Sequence, residues 1–298
     1  ITDIGTSSAA GVSGATAIGN TSTGTLTLDG IFYTTTGSQT YTAATGGGNI
    51  DITNTSGSTF TTTNTAIAFN TSGVDLANNA TTTIDTGTAA GNVTFQGAIE
   101  TNGGDNDILT VTSGTGTVTF TGAIGATEEL GGLNVNASSG NGVITFTSTI
   151  GDSGNAGVIG TTSIGNAATS DLNFNSTIYK FDGATTITAA AGDTIDMGAG
   201  AATTFTTAAD NITFATGNIE LANGSNLTVD TGAAGGNITI GEIGGTSVET
   251  VTLDAGTGTT SVGVIGSGTE IGALSIGSAE DGGITLNGAI TTDGVVTL

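Results

Sequence analysis

GNVTFQGAI, from Gly91 to Ile99, is rewritten along the chain as GTVTFTGAI (Gly116 to Ile124), GVITFTSTI (Gly142 to Ile150), SDLNFNSTI (Ser170 to Ile178) and GGITLNGAI (Gly282 to Ile290). Successive side chains of an extended strand point to opposite faces, so Val93 and Phe95 share one side while Thr94 takes the other. Each copy is therefore a strand with one dry face. The glycine before it and the Gly-Ala or Ser-Thr step after it put small residues where the chain turns or packs closely.

Outward from this stretch the same alternation continues in both directions, as in Leu26/Leu28, Ile50/Ile52, Leu109/Val111, Ile212/Phe214, Leu227/Val229 and Ile284/Leu286. A helix is excluded because Thr and Gly are poor helix formers and the apolar positions recur two apart. Every second strand returns at a nearly even interval: Val93 to Val118 is 25 residues, Leu109 to Leu133 is 24, Val118 to Ile144 is 26, Leu227 to Val251 is 24 and Leu274 to Val296 is 22. Short strands recurring at this period mark a solenoid. An antiparallel sandwich would need frequent tight hairpin signals and would not repeat one motif at one spacing over such a length. The expected fold is thus all-β, a parallel β-solenoid of roughly 12 coils with about 24 residues per coil, a rod roughly 60 Å long at about 4.8 Å per layer.

A longer period overlies the short one. IGTSSAAGVSGATAIGNTSTGTLTL (Ile4 to Leu28) aligns with IGDSGNAGVIGTTSIGNAATSDLNF (Ile150 to Phe174) at an offset of 146, matching Gly11 with Gly157 and Tyr33 with Tyr179. The register continues at 145, pairing Phe60 with Phe205, Ile67 with Ile212, Asp75 with Glu220 and Asp85 with Asp230. It reaches 141 where Glu129 meets Glu270 and Leu133 meets Leu274. These matches predict two tandem modules of about 145 residues, 1–149 and 150–298, each of about six coils.

Composition narrows the function. Only 36% of the 298 residues are hydrophobic and 4% aromatic, with 53 Gly, so any core is thin, yet a mean hydropathy of +0.22 and the ordered apolar pattern argue against disorder. The absence of Cys and His removes disulfides, thiolate metal sites and the commonest general base. With one Lys or Arg against 25 acids, net charge −24, the chain is a poor partner for nucleic acid or an anionic membrane surface. No run approaches the ~18 apolar residues of a membrane helix. Ile1 enters in mid-pattern and Val295 to Leu298 leaves on a strand, which reads as a segment of something longer.

The residues whose types suit chemistry each have a plainer reading. Lys180, the single basic side chain, has Thr34 as its match in the first module, so the expectation is a solvated surface lysine rather than a catalytic or cross-linked one. Asp105-Asn106-Asp107 after Gly103-Gly104 loosely resembles a calcium-binding glycine and aspartate repeat, but it stands alone, and whether Asp105 and Asp107 bind an ion stays open. Glu128-Glu129 and Glu280-Asp281 are adjacent carboxylates that a strand would point to opposite faces, unsuited to acting together as acid and base. Runs such as Thr59 to Thr63 suggest a hydroxyl array of the kind that binds ice, although Thr-x-Thr does not recur at one place on every coil. No catalytic, cofactor-binding or metal-binding residue is assigned, and no enzyme activity is expected. A polysaccharide-acting β-helix enzyme is the sharpest alternative, weakened by the lack of Arg and Trp.

Blocks such as LTVTSGTGTVTFTGAIG (Leu109 to Gly125) and LGGLNVNASSGNGVITF (Leu130 to Phe146) resemble the repeat regions of filamentous-haemagglutinin-like exoproteins, the two-partner-secreted bacterial adhesins. The resemblance spans most of residues 25–298 and implies a right-handed parallel β-helix, exported to the cell surface, serving as an adhesive or stalk-like fibre. The family's amino-terminal secretion domain is not visible, and its repeats transfer no catalytic residues. The expected role is a structural, extracellular solenoid segment. Its partners would be further copies of itself end to end, or surface glycans and proteins of a host or neighbouring cell.

Overall fold

A computed structural model describes residues 1–77, 79–103, 106–136, 141–277 and 282–298. The described chain holds strands but no helix, and none of it is a helix long and apolar enough to cross a membrane. It winds as a parallel β-solenoid of about eleven turns, roughly 24 residues apart. All five spacings read from the sequence are direct neighbours in the stack: Val93↔Val118, Leu109↔Leu133, Val118↔Ile144, Leu227↔Val251 and Leu274↔Val296.

Each turn visits three faces in a fixed order. The first face carries Phe32–Thr34, Ser58–Thr61, Thr81–Asp85, Ile108–Thr112, Gly132–Val135, Thr162–Ile164 and Thr185–Ile187, each paired in register with the next. The second runs from Thr16–Gly19 through Gln39–Thr42, Ile67–Asn70, Val93–Phe95, Val118–Phe120, Ile144–Phe146 and Leu172–Phe174 to Thr194–Met197. The third begins with Leu26–Leu28, Asn49–Ile52, Gly73–Leu76 and Ala98–Thr101. It then thins to single bridges, Ile99↔Ile124, Ile124↔Ile150 and Ile150↔Tyr179, before widening again from Ile178–Lys180 through Thr203–Thr206, Leu227–Asp230 and Thr250–Asp254 to Ala273–Ile276. Towards the carboxyl end the corner between the first and second faces shortens. One bent strand, Ile212–Leu221, pairs with Thr185–Ile187 at its start and with Thr194–Met197 at its end.

The inward residues form one continuous apolar column from Leu26 to Ile276. Because the stacking is in register, like sits on like. Tyr41, Phe69, Phe95, Phe120, Phe146 and Phe174 make an unbroken ladder of nearly parallel rings with centroids 4.9–5.3 Å apart. Such offset stacks add to the burial of the rings themselves. The polar atoms of Gln39 and Tyr41 within this core are paired. Gln39 Nε2 donates to the carbonyls of Tyr33 (2.7 Å) and Thr61 (2.9 Å), while the Tyr41 hydroxyl donates to Gln39 Oε1 (2.9 Å).

The Gly-rich stretches Ile4 to Gly24 and Ile150 to Ser170 are turns of the stack rather than loops leaving it. Ile150 and Val158 each bridge to the turns on either side, Ile150 to Ile124 and Tyr179, Val158 to Leu130 and Phe181.

Candidate functional surfaces

The outward side chains of each face form columns, one residue per turn. On the third face Asp51, Asp75 and Glu100 are consecutive rungs. On the second, Asp196 stands beside Glu220. All five are half-buried. Burial is the largest cause lifting the Asp51 carboxyl above its ordinary range, with the neighbouring Asp75 adding to it. Glu100 is likewise raised by burial, offset in part by the amides of Glu128 (2.9 Å) and Thr127 (3.2 Å), which donate to its Oε2. Burial also raises Asp196 and Glu220, and Glu220 further feels Asp196 and Glu242.

The residues singled out from the sequence are dispersed. Lys180 lies on the third face, half-buried, and its Nζ donates to the Gly154 carbonyl at 2.9 Å. It borders a shallow depression with Asp152, Ser153, Ile178, Thr204 and Thr206. The amides of Asn155 (2.7 Å) and Gly154 (2.6 Å) donate to Asp152 Oδ1 and hold that carboxyl below its usual range, with a smaller contribution from Lys180. Lys180 thus ties down the 152–155 turn. Glu128 is exposed beside a half-buried Glu129. Asp105, Glu280 and Asp281 lie outside the described residues. Asp107 is fully buried, with the Ala80 amide 3.5 Å from its Oδ1. Among the described residues no group of three or more His, Cys, Asp or Glu is placed to hold a metal ion.

No known protein family, curated protein or solved structure matches the chain. The resemblance to filamentous-haemagglutinin-like repeats accordingly rests on its quoted blocks alone, and what stands in the structure is the β-solenoid it implied.

Two features of this solenoid escape a reading of the sequence. The first is a column of short polar side chains on the first face, Thr59, Thr83, Thr110, Asn134, Ser163, Thr186, Thr213, Thr239, Ser261 and Thr285, joined rung to rung without a charge. The Thr-x-Thr pattern is irregular, but the single column is not. Only the register reveals it, because the intervals between its members vary. The second is Glu249, fully buried at a corner. Burial pushes its carboxyl up, but the hydroxyl and amide of Thr246 and the amide of Gly224 outweigh that and hold it below the ordinary range. An isolated glutamate in a polar turn gives no sequence signal of burial.

Proposed function

We propose that the chain is a structural segment of an extracellular fibre or filamentous adhesin, a stiff spacer that carries or extends something outward from a cell surface. The observation that supports this most is the continuous turn-on-turn stack, carried by paired strands on the first two faces and by single bridges where the third face thins, which makes the molecule a rod whose long axis is fixed by backbone hydrogen bonding at every turn. A rod is a good distance-keeper. At the ends of such a stack the outermost strands offer unpaired backbone groups, a template for further turns of the same chain or for another copy. Partners at the surface would be glycans or proteins of a neighbouring cell, met through the outward columns.

The test combines solution scattering with cell-surface labelling. The spacer reading expects a scattering profile of a rod several times longer than wide, and antibody access to the segment on intact producing cells. A compact scattering envelope, or labelling only after the cells are opened, would overturn it. A second reading is favoured by the uncharged polar column of the first face, hydroxyls on every rung but Asn134, a regularly spaced array of the kind that orders water into an ice-like lattice. Ice recrystallisation that slows in the presence of the protein, and recovers on Thr186→Tyr or Thr213→Tyr, would support it. Unchanged crystal growth would dispose of it.

A further inference from the structure

The sequence repeat and the strand pairing, taken together, do not share a phase. The two copies make the same local contacts. Ile4 bridges Tyr33 and Val12 bridges Thr35, as Ile150 bridges Tyr179 and Val158 bridges Phe181. Tyr33 pairs with Phe60 as Tyr179 does with Phe205, and Asp51 with Asp75 as Asp196 does with Glu220. The rings agree too, since Tyr33 and Phe60 stack at 4.6 Å, Tyr179 and Phe205 at 4.9 Å. Phe60 meets Phe69 edge-on at 5.4 Å, and Phe205 meets Phe214 edge-on at 5.4 Å. The Gly30 amide donates to the Tyr33 hydroxyl at 2.8 Å, and the Ser176 amide to the Tyr179 hydroxyl at 2.9 Å.

Yet these matching contacts lie on different faces. From Tyr33 the chain returns to the first face at Phe60, Ile84, Val111, Val135 and Ile164, five turns, and then passes Phe174 on the second face to reach Tyr179 on the third. The repeat is therefore five turns and two faces long. The handover is cyclic. Val135 of the first face is followed by Ile164, whose counterpart Ile18 sits on the second. Phe146 of the second is followed by Phe174, whose counterpart Leu28 sits on the third, and Ile150 on the third by Tyr179, whose counterpart Tyr33 sits on the first.

We infer that the internal repeat displays its two copies a third of a turn apart around the rod, so that any surface a module carries is offered on two different faces. Asp51 and Asp75 occupy the third face, and their counterparts Asp196 and Glu220 occupy the second. A partner that recognises a module surface finds two sites that open in different directions, and two partners bind without obstructing each other. Were the repeat a whole number of turns, they would compete along one side. This inference does not depend on the function proposed above.

The absence of Cys allows a clean test with pairs of introduced cysteines. Asn134 neighbours Ser163 in the stack, whereas a repeat of six whole turns would set it against Thr149, the residue before Ile150. In-register neighbours are close enough for a disulfide. Mild oxidation should close Asn134→Cys/Ser163→Cys and leave Asn134→Cys/Thr149→Cys open. The display itself is read by stoichiometry with biotin on Asp51→Cys/Asp196→Cys, counterparts about 27 Å apart along the axis, a separation smaller than a streptavidin molecule. Two streptavidins per rod are expected. The control, Asp51→Cys/Thr206→Cys, has nearly the same axial separation on a single face and should take one. Closure of the 134/149 pair, closure of neither pair in folded protein, or equal stoichiometry from the two biotin pairs would overturn the inference.

Discussion

Gly142 illustrates what close stacking asks of a single residue. A Cβ built there would lie 1.7 Å from the Gly116 carbonyl oxygen, and one on Gly116 would lie 2.3 Å from that of Gly91. Gly91 and Gly116, which open two successive copies of the motif, are thus each the floor of the next. Gly142→Ala is expected to cost about 2 kcal/mol or more, since neither backbone can yield without shifting a turn. Gly14, where an added methyl would have nothing within 4 Å, should tolerate alanine within about 0.5 kcal/mol. Chemical denaturation of the two variants checks the pair, and equal midpoints would refute the stacking argument. The need for small residues at these corners was legible from the recurring Gly. Which glycine sits on which was not, because that depends on turns far apart in sequence meeting in space. Tyr33 shows the same division. Its match with Tyr179 was evident in the sequence, but its hydroxyl, pushed up to about 12 chiefly by burial, is known only from its surroundings.

Among elements, the ring ladder and the acidic columns pull in opposite directions. Phe120 stacks on both Phe95 and Phe146. Truncation, Phe120→Ala, should cost about 4 kcal/mol, and Phe120→Leu much less, as read by thermal melting. The columns Asp51 to Glu100 and Asp196 to Glu220 work against the fold at neutral pH. The folded carboxyls of Asp51, Glu100, Asp196 and Glu220 are raised, so the stability these four contribute is complete below the unfolded values, about 4, and is lost as pH rises through the folded ones. Glu249, whose carboxyl is lowered, acts in reverse, its contribution falling away as pH drops through its folded value. Melting temperature should therefore rise on acidification from pH 7 towards 5 and fall again in stronger acid. Asp51→Asn should raise it at pH 7 and flatten the slope, while a melting curve that declines steadily from pH 7 downward would contradict this. The strands themselves were legible because Val93/Phe95-type alternation announces a dry side. Their assignment to faces was not, since neighbouring strands follow at uneven short intervals, and the run through 215–217 that fuses two faces in Ile212–Leu221 carries no apolar signal.

For the whole molecule, each turn touches only the turns beside it, so protection should vary along the rod rather than with depth from a centre. Amide exchange is expected to be slowest around Phe95 to Phe174, in the ring ladder, and fastest near Leu286 and Val296, which are 39% and 42% exposed. Uniform exchange across the chain would show a single cooperative unit instead. The rod and its period were plain from Val93, Val118 and Ile144. The phase between repeats was hidden, because sequence offset counts residues and the turns that share them differ in length.

One consequence of the geometry is mechanical. The hydrogen bonds that join turn to turn run along the long axis, so a pull on the two ends loads them one layer after another, as a zip is opened, and not all together as in a sheared sheet. Each released layer of about 24 residues pays out about 80 Å of slack. A tether of this kind gives way in small steps at modest force and recoils when the strain passes. Single-molecule extension should record a train of increments of that size, whereas one abrupt rupture to full length would mean the layers hold or fail as a body.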